Sequence, residues 1–182
     1  MKVIACVISA AFVLAAVFTF AQTPTKVTMV TAVQTKYAEI KRNIQETAEK
    51  MPDAEYGFRP TPAIRTFAEL FGHVANSQFN NCSSAKEETN PNRGTDNELK
   101  TTKAEIVASL NASFAYCDSV YAALTEQSAM QVVKLGENQV MRGYALMNNV
   151  WHNTEMYGAA ATYLRLKGLL TREGADDLSR HR

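Results

Sequence analysis

Glycine and proline are scarce in this sequence, with 8 and 5 residues among 182. Long stretches without either breaker argue against a many-stranded β fold, which needs turn residues at short intervals. A dominant charge is missing as well, since the formal net charge is +1. So balanced a chain offers no electrostatic footprint for nucleic acid or an anionic membrane. There is no Gly-rich phosphate loop, no Cys-x-x-Cys pair and no Ser-His-Asp spacing. Nucleotide cradles, dithiol redox chemistry and triad hydrolysis therefore lack their usual signatures. Histidine occurs only at positions 73, 152 and 181, which leaves imidazole chemistry few places to sit.

What is present is an ordinary globular balance, 46% hydrophobic and 20% charged, enough for one domain with a real core. The first residues are of another kind. Lys2 gives a basic start, Val3 to Phe18 is apolar apart from Ser9, and Thr19-Phe20-Ala21 precedes Gln22 with a small-residue cleavage signal. That three-part pattern predicts a signal peptide over residues 1–21 and an exported, periplasmic or secreted, mature chain. An uncleaved membrane anchor is the alternative, but the run falls just short of the roughly 20 apolar residues a spanning helix needs. Cys6 is too early in the run to be a lipid-attachment cysteine. Of the 19 Lys and Arg residues one lies in the leader, and none of the 18 acidic residues does, so the mature chain balances 18 against 18. Nucleic acid is excluded as a partner, and so is a membrane for the mature form.

Four long helical segments are predicted. The first runs from about Val27 to Lys50, with Val30, Val33, Tyr37, Ile40, Ile44 and Ala48 at helical spacing, and it stops at Met51-Pro52. The second is predicted to start with Thr61 as cap and Pro62 in the first helical position. Its inner stripe is Phe67, Leu70, Phe71, Val74 and Gln78, and it fades near Ser83 to Ala85. Residues 87–99 read as a polar loop around Asn90-Pro91-Asn92-Arg93-Gly94. Thr102 and Glu105 form a capping box opening the third helix, whose apolar positions Ile106, Leu110, Phe114, Cys117, Tyr121 and Leu124 carry it to about Gln127. Between Met130 and Val140, Val132-Val133 and Val140-Met141 flank Gly136-Glu137-Asn138, a pattern open to a short hairpin. The last helix spans about Arg142 to Lys167 and is closed by Gly168. A polar tail, residues 171–182, follows. Long connections join helices one and two, two and three, and three and four, and the economical arrangement is an all-α four-helix bundle over residues 22–170.

Export changes how the cysteines read. Removing Cys6 leaves Cys82 and Cys117, an even pair in a disulfide-permissive compartment. Two buried helix thiols, packing as small hydrophobes, are the other reading. Both remain open on the sequence alone.

Chemistry has few candidates. His181 sits between Arg180 and Arg182 and reads as solvated. His73 lies in the second helix. His152 lies in the fourth, with Glu155 three residues on and Met156 four residues on, one turn away on the same face. Asn149, Asn153, Glu155 and Tyr157 on that helix, with Asn76, Ser77 and Asn80 on the second, either line a pocket or hydrogen-bond the helices together; the second option is the more natural one for buried amides. Paired carboxylates such as Glu87-Glu88 and Asp176-Asp177 read as solvated.

The stretch carrying Met51-Pro52, Tyr56, Phe58-Arg59-Pro60, Phe67, Leu70 and His73 resembles the DinB-like family. The stretch from Val150-Trp151-His152 through Tyr163-Leu164-Arg165-Leu166-Lys167-Gly168-Leu169 is similar to that family's closing helix. The resemblance covers essentially the whole mature chain. It implies a four-helix bundle holding a divalent metal, often zinc or nickel, on three histidines, one from the second helix and two a turn apart on the last. His73 matches the first and His152 the second, but Met156 stands where the third should be. A thioether is a poor partner for zinc or nickel and suits Cu(I) better, so the zinc or nickel site is incomplete. Glu155 could supply a carboxylate ligand, although the i, i+3 position points partly away from the i, i+4 line.

Two functions follow as expectations. The first is an exported relative with a degenerate or weak metal site, acting as a non-catalytic module that binds a small molecule or protein. The second is a metal-dependent hydrolase or thiol-dependent transferase using His73 and His152, with Glu155 or Met156 completing the site. Export weighs against a transferase, because thiol cosubstrates belong to reducing compartments. A homodimer is compatible with either.

Overall fold

A computed structural model describes residues 27–170; the expected signal peptide and the polar tail with His181 lie outside the described residues. The chain runs α1 (Met29–Lys50), a 3-10 turn (Asp53–Glu55), α2 (Phe67–Lys86), a second 3-10 turn (Asn97–Leu99), α3 (Lys103–Ala122), α4 (Glu126–Ala129), β1 (Val132–Leu135), β2 (Asn138–Met141) and α5 (Arg142–Leu166). α1, α2, α3 and α5 are the four rods of a bundle. α2 packs on α3 and α5, and α1 packs on the same two, so α1 and α2 sit diagonally across the core. β1 and β2 form the one antiparallel pair among the described residues, closed by the two-residue loop Gly136-Glu137 between Leu135 and Asn138. Among these residues no helix is long and apolar enough to cross a membrane.

Local chemistry explains most boundaries. Thr28 caps α1, its hydroxyl accepting from the Thr31 N–H while Thr31 returns the bond to the Thr28 N–H. Met51 leaves the helix in an extended conformation before Pro52. Tyr56 folds the next segment back, its hydroxyl donating to the Ala48 carbonyl at 2.7 Å. α2 corrects the expected start at Thr61-Pro62, because that pair lies in a turn and the helix begins at Phe67 behind Thr66. The reason is a full capping box: Glu69 accepts from the Thr66 N–H at 2.7 Å, and Thr66 accepts from the Glu69 N–H at 3.1 Å. A cap at Thr61 would have Ile64 in the reciprocal position and no such return bond.

α3 starts at the expected box of Thr102 and Glu105 but stops at Ala122 instead of near Gln127. Gln34 of α1 reaches across and donates to the Tyr121 carbonyl at 2.7 Å, an acceptor in the last turn that also takes the Leu124 N–H at 3.2 Å. The chain then restarts as α4 behind Thr125 and its partner Ser128. α5 closes at Gly168, which takes φ 70° and lets the Leu169 N–H reach the Leu164 carbonyl.

The predicted apolar stripes face inward. Ile44, Met51, Phe67, Phe71, Phe114, Ile106, Leu110, Leu146 and Leu164 are buried in one continuous core. Cys82 of α2 and Cys117 of α3 are joined by a disulfide, with Cα atoms 5.5 Å apart, inside that core. The bridged alternative for this pair is the one the fold adopts.

Candidate functional site

α2 and α5 bring the two helical histidines together. His73 Nε2 and His152 Nε2 lie 3.1 Å apart, with ring centroids separated by 5.0 Å. Each side chain is half-buried. Ser77, one turn on from His73, places its hydroxyl 3.3 Å from the same nitrogen of His152. Both rings therefore aim their outer nitrogens at one point between the helices.

The far side of His73 is held firmly. Its Nδ1 lies 2.7 Å from Glu98 Oε1, and Arg65 Nε donates to Glu98 Oε2 at 2.8 Å. A carboxylate at Nδ1 fixes the proton there and turns the Nε2 lone pair toward His152, the tautomer a metal-binding imidazole needs. Burial pushes the Glu98 carboxyl upward, but its hydrogen bonds to Arg65 and His73 outweigh that and hold it below the ordinary range.

Glu98 reaches His73 from a loop 25 residues further on, and two features of α2 make this contact. The first is Gly72, beside His73. A Cβ there would meet the carbonyl carbon of Asn97 at 2.6 Å and the Cα of Glu98 at 2.8 Å, so only glycine allows the 3-10 turn to lie against the helix. The second is Asn76. Its carbonyl oxygen accepts from the Asn97 backbone at 3.1 Å and from the Asn97 side chain at 2.7 Å, and its amide donates to Asp96 at 2.8 Å. Asn76 is thus a clamp on the loop that delivers Glu98.

The far side of His152 is different. Its Nδ1 is buried with no hydrogen-bond partner among the described residues, and so is Oδ1 of the adjacent Asn153. Burial, and then the charge of His73, hold the His152 pKa below its ordinary value against smaller opposing pulls from Asn153 and Glu155. Beneath the imidazoles the seam continues as amides. Asn149 donates to Gln78 Oε1 at 2.9 Å and Asn153 to the same oxygen at 3.3 Å, while Gln78 Nε2 and Asn149 Oδ1 stay unmatched among the described residues. Asn149 and Asn153 hydrogen-bond the helices together.

Met156 is half-buried one turn beyond His152. It shares an open cavity of about 810 Å³ with Arg65 and Glu98, further lined by Arg59, Ile64, Leu70 and Tyr163. Glu155 is exposed and makes no hydrogen bond to either ring among the described residues. Among those residues no group of three His, Cys, Asp or Glu side chains converges to hold a metal. Sequence reasoning missed Arg65 and Glu98. Neither stands in a local motif with a histidine, and the Gly next to His73 was the single available hint of a close approach.

Whether these donors fit a metal can be tested on the distance. Two nitrogens bound at ~2.05 Å to one ion at a tetrahedral angle lie about 3.3 Å apart, close to the 3.1 Å observed. The two imidazoles and the carboxylate behind His73 fit; the third position offers sulfur.

The model of the DinB superfamily matches residues 37–155 of the chain. Among solved structures, a DinB-like protein from Bacillus cereus is 12% identical with a TM-score of 0.65, covering 76% of this chain and 92% of its own. A DinB-like protein from Bacillus subtilis is 18% identical with a TM-score of 0.63, covering 75% and 92%. A conserved protein from Enterococcus faecalis is 18% identical with a TM-score of 0.63, covering 78% and 98%. At such identities the likeness concerns the fold alone. No curated protein matches the chain.

Proposed function

The chain belongs to the DinB superfamily, and on that premise we propose that it is an exported binding module whose inherited metal site is degenerate. The observation carrying this reading is the pair of Nε2 atoms 3.1 Å apart with Met156 one turn on from His152. Zinc or nickel asks for three good ligands and one open position. Two imidazoles and a thioether fall short of that. His73 and His152 would still hold an ion, weakly, while the chain's own groups do the orienting: Glu98 fixes the His73 proton on Nδ1, and Gly72 and Asn76 hold Glu98 in place. The leader-like residues 1–21 support export, and the Cys82–Cys117 disulfide is compatible with an oxidising compartment.

A second reading, a metal-dependent hydrolase, has one observation in its favour. The carboxylate behind His73 is the kind of outer partner that working metal sites keep. In that reading Glu155 or Met156 would complete the ligand set, and the bound ion would polarise a water or carbonyl.

Elemental analysis of the purified protein beside a Met156→His variant separates the two. The module reading expects an unmodified protein without stoichiometric zinc or nickel and a variant that acquires it. One zinc or nickel per unmodified chain would reverse the choice.

A further inference from the structure

We infer that the ion suited to this site is Cu(I), held by the imidazoles of His73 and His152 and the thioether of Met156. The inference rests on the binding-module reading above and names what is bound.

Three observations carry it. The first is the donor set. Two imidazole nitrogens converge at 3.1 Å, and the position one turn beyond His152 carries sulfur. Thioether donors select Cu(I) over zinc or nickel, and Cu(I) accepts a low coordination number, so three such donors are a complete set for it. Methionine has three rotatable bonds, and Met156 is half-buried at the edge of an open cavity, so its sulfur has room to adjust.

The second is charge. All three donors are neutral. Among the described residues the one carboxylate hydrogen-bonded to either ring is Glu98, already paired with Arg65 at 2.8 Å, and Arg65 Nη2 lies 3.3 Å from His73 Nδ1. A dication would enter with little compensation and a guanidinium nearby; a monocation faces half that repulsion. The third is the absence of a competing thiolate. Both cysteines among the described residues are tied in the buried disulfide, so no softer ligand there draws Cu(I) elsewhere.

Anaerobic titration of the purified protein with Cu(I), in competition with a chromophoric Cu(I) chelator, tests this beside parallel Zn(II) and Ni(II) titrations. The samples are the unmodified chain, Met156→Leu and Met156→His, each checked for unchanged helical circular dichroism. The expected result is one Cu(I) per unmodified chain, binding weakened about tenfold or more in Met156→Leu, and a gain of zinc or nickel binding in Met156→His. Tight zinc or nickel binding by the unmodified chain would overturn both this inference and the module reading. Binding of no ion at all would overturn the Cu(I) assignment and leave the module reading standing. Equal Cu(I) uptake by the unmodified and Met156→Leu proteins would also overturn it. The thioether would then not be a ligand, and the two imidazoles alone would account for the uptake.

Discussion

α2 meets its two main neighbours on opposite terms. Against α3 it is sealed covalently by Cys82–Cys117 and by rings, Phe79 lying 5.8 Å from Tyr116. Against α5 the ring pair Phe67–Tyr163 at 6.1 Å is followed by a run of polar contacts: His73 with His152, Ser77 with His152, Gln78 with Asn149 and Asn153, and Asn81 with Asn148 at 3.1 Å. Four of the five buried side-chain atoms lacking a partner among the described residues lie in this second seam, on Gln78, Asn149, His152 and Asn153. A buried polar atom without a partner costs stability, so the α2–α5 seam carries a penalty among its polar groups. The contrast teaches where to look for function: chemistry sits where the packing tolerates unmatched groups.

The largest test of the contrast is to break the strong seam. The disulfide closes a loop of 35 residues, worth about 4 kcal/mol in the chain-entropy model. Replacing Cys82 and Cys117 by Ala should therefore lower the urea midpoint substantially, and a reductant that reaches the bridge should do the same to the unmodified protein. A double variant that unfolds at the unmodified midpoint would show that α3 is held by packing alone.

An intermediate test addresses the amides. Gln78→Leu removes the acceptor that Asn153 and Asn149 share and should cost about 1–3 kcal/mol. Adding Asn153→Leu removes the stranded donor, so the double variant should recover much of that loss. Urea unfolding of the single and double variants completes the cycle. If the two losses simply add, the amides are independent and the polar seam is not a network.

Much of this architecture was legible from residues close together in the chain. Apolar spacing and the Thr102–Glu105 box located α1, α3 and α5, while the valines flanking Gly136-Glu137-Asn138 left a short extended segment or a hairpin open. Errors came where a distant group decides. The last turn of α3 is bonded by Gln34, 87 positions before the carbonyl it reaches, and no pattern within the helix reports that. The start of α2 went to Thr61-Pro62 because a proline after a threonine is a strong local sign, whereas Thr66 with Glu69 satisfies two donors and prevails. At the site, His73, His152 and Met156 came from family resemblance on helical spacing. Glu98 and Arg65 were invisible because a loop, clamped by Asn76 and admitted by Gly72, carries the carboxylate to the ring.

The smallest expected effect concerns His152, and its sign is fixed by burial. Desolvation, then the neighbouring His73, keep its pKa in the fold below the ordinary value of 6.5. Below about pH 6.5 the unfolded chain therefore binds a proton that the folded chain resists. The stabilisation is whole above that pH and shrinks as the pH falls toward the lower, folded-state value. Glu98, whose carboxyl is also held low, titrates in a more acid range, below the interval from pH 7.5 to 5. In EDTA, to exclude bound metal, the urea midpoint of the unmodified protein should decline across that interval, and His152→Gln should flatten part of the decline. A midpoint that rises on acidification would mean that protonation strengthens the α2–α5 seam, and the contrast between the two faces of α2 would then need a different cause.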